Sequence, residues 1–255
     1  MDPVEVVLML AAGFAAGAIG AMAGGGGLLS FPALIAVGIP PVAATVTNTV
    51  ALCTGNLTAA VATRSDLPQV RQWALLLPTT VVGTLAGCLI LLGTPARVFE
   101  TVVPFLVLGA TAMLALQGPL WRLVGHPRDL GPRRRAWTLH AVVGVTSVYC
   151  GYFAQALGLM LISGLTLALD TTLARINALK NLLSGMMGVT TIGVFGLFGP
   201  VNWAAAALLA PAAIAGGYVG ARWARRLPAT LLRAVIVVVG TAVGLYLLVD
   251  HHYQG

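Results

Sequence analysis

Four consecutive glycines, Gly24-Gly25-Gly26-Gly27, interrupt one apolar stretch of the chain, and its single lysine, Lys180, sits inside another. Glycine is the residue expected where backbone must turn or approach something closely. A helix beginning at Leu28 would aim the N–H groups of the tetrad, and the positive end of its dipole, at an anion. An ionisable side chain within an apolar helix is costly and usually functional. Helical spacing places Asn177, Lys180, Asn181, Ser184 and Gly188 on one face, and Ala44, Thr47, Asn48, Ala51 and Gly55 on the face of an earlier segment. Where two such stripes meet, Lys180 supplies positive charge, the asparagine amides supply donors and the glycines allow close approach, which together describe a pocket for an oxyanion. Gln155, between Gly151 and Gly158, adds a further donor. The candidate binding residues are therefore Gly24, Gly25, Gly26, Gly27, Thr47, Asn48, Gln155, Gly158, Asn177, Lys180, Asn181 and Ser184. Each has a structural alternative: the tetrad permits tight helix packing, Lys180 snorkels to the interface beside Arg175, and Gln155 makes a helix–helix hydrogen bond.

Other chemistries find little support. His140 has no neighbouring carboxylate or nucleophile in a catalytic pattern, so an intramembrane enzyme is the weaker alternative to a transporter, as is a structural or assembly subunit. Cys53, Cys88 and Cys150 lack a CxxC spacing or flanking histidines, and the Asp250-His251-His252 end is expected to be solvated, so neither a metal nor a cofactor is expected. The acidic residues lie near span ends or in loops, which argues against a carboxylate relay for protons or sodium. A net charge of +7 would suggest nucleic acid in a soluble protein, but these cations sit in short loops between apolar segments and no nucleic-acid partner is expected.

The elements that must position these residues are membrane helices. Charged residues make up 8% of the chain, against roughly 25% in a soluble domain. The apolar runs are continuous rather than alternating, so a helical bundle is expected and a barrel is not. Ala21-Met22-Ala23 has the look of a signal cleavage site, but Asp2 and Glu5 stand where a basic region is needed, so the segment is read as retained. Sliding the sequence against itself by 133 residues aligns Gly25 with Gly158, Asn48 with Asn181, Gly55 with Gly188, Pro78 with Pro211, Gly83 with Gly216 and Gly87 with Gly220. The organisation is thus a first repeat over 1–117, a basic linker over 118–135 and a second repeat over 136–255. Arginines mark the linker and the loop of Arg222, Arg225, Arg226 and Arg233 as cytoplasmic, whereas in the first half the basic loop is that of Arg64 and Arg71, so the repeats read as inverted.

Inversion requires an odd number of crossings per repeat. Three are clear in each: Val42 to Thr63, Trp73 to Leu92 and Phe99 to Gln117, then Ala174 to Leu197, Trp203 to Ala221 and Ala229 to Val249. The stretches ahead of them, Val4 to Ile39 and Ala136 to Leu169, must enter and return on one side. At 1.5 Å per residue they reach ~50 Å as helix, less than the ~60 Å of two full crossings, so a short or re-entrant pair is expected in each. The fold class is all-α, a polytopic transmembrane bundle of two inverted-topology repeats.

Both halves resemble the TauE/SafE family of sulfite and organosulfonate exporters. The residues carrying the resemblance run from Gly17 to Gly27, through Phe31-Pro32-Ala33-Leu34 and Thr47-Asn48, then Gly151-Tyr152-Phe153, Gly158 to Leu161, Asn177 to Asn181 and Gly216 to Arg222. One departure is Ala154-Gln155-Ala156, where the family typically has a second glycine-rich stretch; it points to a different cargo or an altered gate. The resemblance implies a multi-pass transporter exporting a small sulfur-containing oxyanion such as sulfite, sulfoacetate or another organosulfonate; it is expected in the inner (plasma) membrane, and two inverted halves rocking about the glycine breaks and the Asn48 and Lys180 faces would work by alternating access. Its partners would be that anion and the lipid bilayer, and a homo-oligomer is compatible with the sequence.

Overall fold

The computed structural model describes residues 2–22, 24–67, 73–115 and 131–223, with short pieces at 237–238, 241–242, 244–246 and 248. Most of the linker and the last expected span, Ala229 to Val249, lie outside the described residues. Every regular element among the described residues is helical: α1 (Pro3–Met22), α2 (Gly27–Ala36), α3 (Pro41–Ala62), a 3-10 turn (Arg64–Asp66), α4 (Leu77–Gly93), α5 (Ala96–Ala115), α6 (Pro132–Tyr152), α7 (Leu157–Ala168), α8 (Leu173–Phe198) and α9 (Trp203–Trp223). Proline opens α3, α4 and α6, where the missing N–H costs nothing.

This is a helical membrane bundle. Among the described residues, three helices are long and apolar enough to cross a bilayer, Pro3–Met22, Leu173–Phe198 and Trp203–Arg222. With 22 residues, α3 is about 33 Å long, which also suffices, but it carries Thr45, Thr47, Asn48 and Thr49 on buried surface. Its polarity is directed inward. Hydroxyls in the helices are largely self-satisfied: Thr49, Thr80, Thr84 and Ser147 each donate to the carbonyl four residues back, at 2.6–2.8 Å. In each half a long helix precedes a short one, α1 before the ten-residue α2 and α6 before the twelve-residue α7.

The halves interleave rather than sit side by side. α1 packs mainly on α9 and α4 on α6; α3 lies against α8 and α9, and α8 against α4. Small residues set these distances, as expected where lipid leaves helices without a hydrophobic drive to associate. A Cβ at Gly216 would overlap the Phe14 carbonyl, and one at Gly220 that of Ala18. The equivalent glycines 133 residues earlier make the equivalent contacts: a Cβ at Gly83 would lie 2.8 Å from Ser147 Cβ, and one at Gly87 would lie 2.9 Å from Gly151 Cα. A Gly216→Leu substitution is therefore expected to pry α1 from α9. Overpacking of this kind costs about 1–3 kcal/mol, which in a chain of this size lowers the thermal midpoint by roughly 2–12 °C. Gly93→Ala, where a Cβ would meet nothing within 4 Å, is expected to leave it unchanged; melting followed by size-exclusion in detergent checks the pair.

Candidate functional site

The helix after the first break starts where the tetrad was expected to start it. α1 ends at Met22, and the Gly24 N–H closes it onto the Ile19 and Gly20 carbonyls at 3.1 and 3.2 Å. Gly24 and Gly25 then take φ of +74° and +96°, a region that side chains with a Cβ rarely enter. The Leu28 and Leu29 N–H groups turn back to the Gly25 and Gly26 carbonyls at 3.1 and 3.0 Å. Among the described residues, the Gly26 and Gly27 N–H groups have no backbone acceptor, so they are the donors at this helix end.

The second break is built without a glycine run. The Phe153 and Ala154 N–H groups share the Tyr149 carbonyl at 2.8 and 3.1 Å, and Ala154 takes φ +63°, the one positive value among described non-glycine residues. An alanine so placed costs about 1–2 kcal/mol. Aromatic packing offsets it: the Phe153 ring meets Phe31 at 5.7 Å, Tyr149 at 6.2 Å and Phe99 at 6.3 Å, pairs worth about 0.5–1.5 kcal/mol each.

The two breaks cross at one point. Gly24 and Gly158 lie backbone against backbone, with no room for a Cβ on either, and a Cβ at Gly27 would run into Gln155. The starts of α2 and α7 thereby face a common pocket whose empty volume, mouth included, is about 580 Å³. Of the twelve candidate residues, the four tetrad glycines, Asn48, Gln155, Gly158 and Ser184 line it. Across it, Asn48 Nδ2 donates to Gln155 Oε1 at 2.6 Å and to the Gly27 carbonyl at 3.3 Å, joining α3 of the first half to the break of the second.

The other four candidates lie outside the pocket wall. Lys180 is 1% exposed, so it does not snorkel. Its Nζ donates to the Gly20 carbonyl at 2.7 Å and to that of Ala21 at 3.2 Å, and Asn177 Nδ2 adds a bond to Ala21 at 3.2 Å. These are carbonyls of the last turn of α1, where the Gly24 N–H also reaches Gly20 and where the dipole favours a cation. The lysine stem passes behind the second break, 3.4 Å from where a Gly158 Cβ would be. Its charge thus stands one backbone layer behind the pocket. Asn181 turns the other way, to Thr63 Oγ1 at 3.4 Å, and Thr47 Oγ1 accepts from the Asn202 N–H at 2.9 Å ahead of α9. Asn56 also lines the pocket, as does Leu52. Neither was among the sequence candidates, although Asn48, Leu52 and Asn56 recur at a spacing of four on one helix face. His140 is engaged with Thr79, Nδ1 to Oγ1 at 2.8 Å, between α4 and α6.

A family model described as "Sulfite exporter TauE/SafE" matches residues 9–247. The chain belongs to the TauE/SafE family. Relatives of this family agree over nearly their full length. The chain is 28% identical over 262 residues to the probable membrane transporter protein YfcA of Escherichia coli K12, covering 100% of this chain and 93% of that one. It is 27% identical over 247 residues to the probable membrane transporter protein ORF9 of Sinorhizobium sp, covering 96% and 93%. A probable membrane transporter protein of Haemophilus influenzae is 25% identical over 236 residues, with 91% and 90% covered. No solved structure matches the chain at a significant level. This TauE/SafE protein is thus one of a family of membrane transporters, and its two helix breaks are the feature that needs a functional explanation.

Proposed function

We propose that this TauE/SafE protein carries a small sulfur-containing oxyanion, sulfite or an organosulfonate, out of the cell across the plasma membrane by alternating access. The observation that carries the reading is the crossing of the two breaks, which turns two helix N-termini, with the Gly26 and Gly27 amides of the first, onto one pocket. Non-helical backbone inside a membrane bundle persists only where protein buries it or a cavity runs alongside. In transporters built from inverted repeats, such broken helices form the substrate site. The exchanged glycine contacts, α1 with α9 and α6 with α4, support reading the halves as two repeats about a twofold axis. Rocking one half against the other would open the pocket to either side. Gln155 and Ser184 would hold the anion's oxygens beside Asn48, while Lys180 would raise the potential from behind.

Export needs no separate pump, because each negative charge leaving a cell with a negative interior gains ~2.3 kcal/mol per 100 mV. Purified protein in liposomes is expected to release radiolabelled sulfite at least tenfold faster than protein-free liposomes, and faster as the interior is made more negative. Equal release from both preparations would overturn the reading.

A further inference from the structure

The pocket carries an acceptor as well as donors, and that is unexpected in a site for a bare anion. Asn48 and Gln155 both line it and are each 1% exposed, yet Asn48 Oδ1 and Gln155 Nε2 have no hydrogen-bond partner. The orientation of the Asn48 amide is fixed by what surrounds it. Its Nδ2 lies within reach of two oxygens, Gln155 Oε1 and the Gly27 carbonyl. Turning the amide over would set its oxygen against both, so the oxygen end must face away from them. Reversing Gln155 as well would still leave the Asn48 oxygen against the Gly27 carbonyl.

Two nearby donors are already committed. The Thr49 hydroxyl bonds to the Thr45 carbonyl at 2.8 Å, and the Lys180 ammonium to the end of α1. A buried acceptor left unmade costs about 1–3 kcal/mol, and the fold retains one beside the break amides. We propose that the pocket is built for an oxyanion that brings one hydrogen-bond donor of its own, an O–H or N–H, which Asn48 Oδ1 accepts while Gln155 Nε2 and the amides of Gly26 and Gly27 take the anionic oxygens.

This rests on the anion-transport reading and narrows it. A monoprotonated oxyanion such as hydrogensulfite fits, as does a sulfonate bearing a hydroxyl or amino group. A fully deprotonated dianion such as sulfoacetate would turn lone pairs toward Asn48 Oδ1. Sites with buried polar groups discriminate strongly against analogues lacking the matching group, because the protein's own group is then left unpaired.

The test compares two sulfonates of nearly equal length, 2-hydroxyethanesulfonate and 1-propanesulfonate, which differ in a terminal hydroxyl against a methyl. Each is loaded into liposomes with the full-length protein, and the amount remaining inside is followed by mass spectrometry. The hydroxyl compound is expected to leave at least tenfold faster, and Asn48→Leu is expected to bring the two rates within twofold. Should that variant not purify as a monodisperse species, Asn48→Ala is expected to give the same convergence. Equal rates through the unsubstituted protein would overturn the donor requirement and leave anion transport standing. A preference that survives loss of the Asn48 amide would overturn the assignment to Asn48. If neither sulfonate leaves faster than from protein-free liposomes while sulfite does, the inference falls alone; if sulfite fails too, both readings fall.

Discussion

Replacing Lys180 by methionine is expected to slow sulfite release from liposomes at least a hundredfold per folded molecule. Methionine keeps an unbranched stem to fill the space behind Gly158 but removes the ammonium that binds the Gly20 and Ala21 carbonyls. Hydrogen bonds from a charged group contribute about 1.5–3 kcal/mol each. Their loss leaves the Gly20 carbonyl with the Gly24 N–H alone and the Ala21 carbonyl with Asn177 Nδ2 alone, so the helix end that sets the angle of the first break is held less firmly. The positive charge behind the pocket goes with it. A hundredfold corresponds to about 2.7 kcal/mol of barrier, within what one preorganised charge supplies. Lys180→Arg is expected to fail as well, because the site is 1% exposed and the stem already touches the second break; a planar fork cannot take the place of a compact ammonium there. Rates normalised to monodisperse protein separate this effect from lost yield. Release at the unsubstituted rate by the methionine variant would remove Lys180 from the mechanism.

Why the lysine is there could not be read from the sequence. Periodicity assigned Lys180 to a face shared with Asn181 and Ser184, but a face is about one quarter of a turn wide and three neighbours meet it. Ser184 reaches the pocket, Lys180 reaches back to α1, and Asn181 reaches Thr63. Which neighbour a side chain finds depends on crossing angles, and those are set by glycine contacts between residues far apart in the chain. The first break was legible, since four adjacent glycines leave little else for the backbone to do. The second was legible only as a stretch bracketed by Gly151 and Gly158. Its left-handed residue is Ala154, held by aromatic packing around Phe153 that leaves no local signature. The start of α4 differs for a plainer reason: a crossing expected from Trp73 becomes continuous helix only at Leu77, where Pro78 occupies the first turn and Leu75 and Leu76 form a bend ahead of it. Asn56 was legible in principle, two turns beyond Asn48 on the same face, and was missed because its repeat partner, Val189, is apolar.

Gly24→Ala is expected to be among the most damaging single-methyl additions at the described glycines, and Gly158→Ala to be damaging at the same crossing. At Gly24 two costs combine. Its φ of +74° penalises any Cβ by about 1–2 kcal/mol, and the Cβ would overlap the Gly158 backbone, an overpacking of about 1–3 kcal/mol more. At Gly158 only the second applies, with the Cβ 2.5 Å from Gly24 Cα. Neither neighbour can yield, because both are backbone and each belongs to a break that the other supports. Loss of a monodisperse species, or a fall of roughly 10 °C or more in its thermal midpoint, is the expected outcome for Gly24→Ala, with a smaller fall for Gly158→Ala. Gly20 supplies the contrast. It lines the same pocket, but in helical conformation and with nothing within 4 Å of where a Cβ would stand. Gly20→Ala is therefore expected to fold with an unchanged midpoint, so that any loss of sulfite release is attributable to the pocket rather than to the fold. If Gly24→Ala melted like Gly20→Ala, the two breaks would not be in backbone contact, and the case for one pocket fed by two helix ends would go with it.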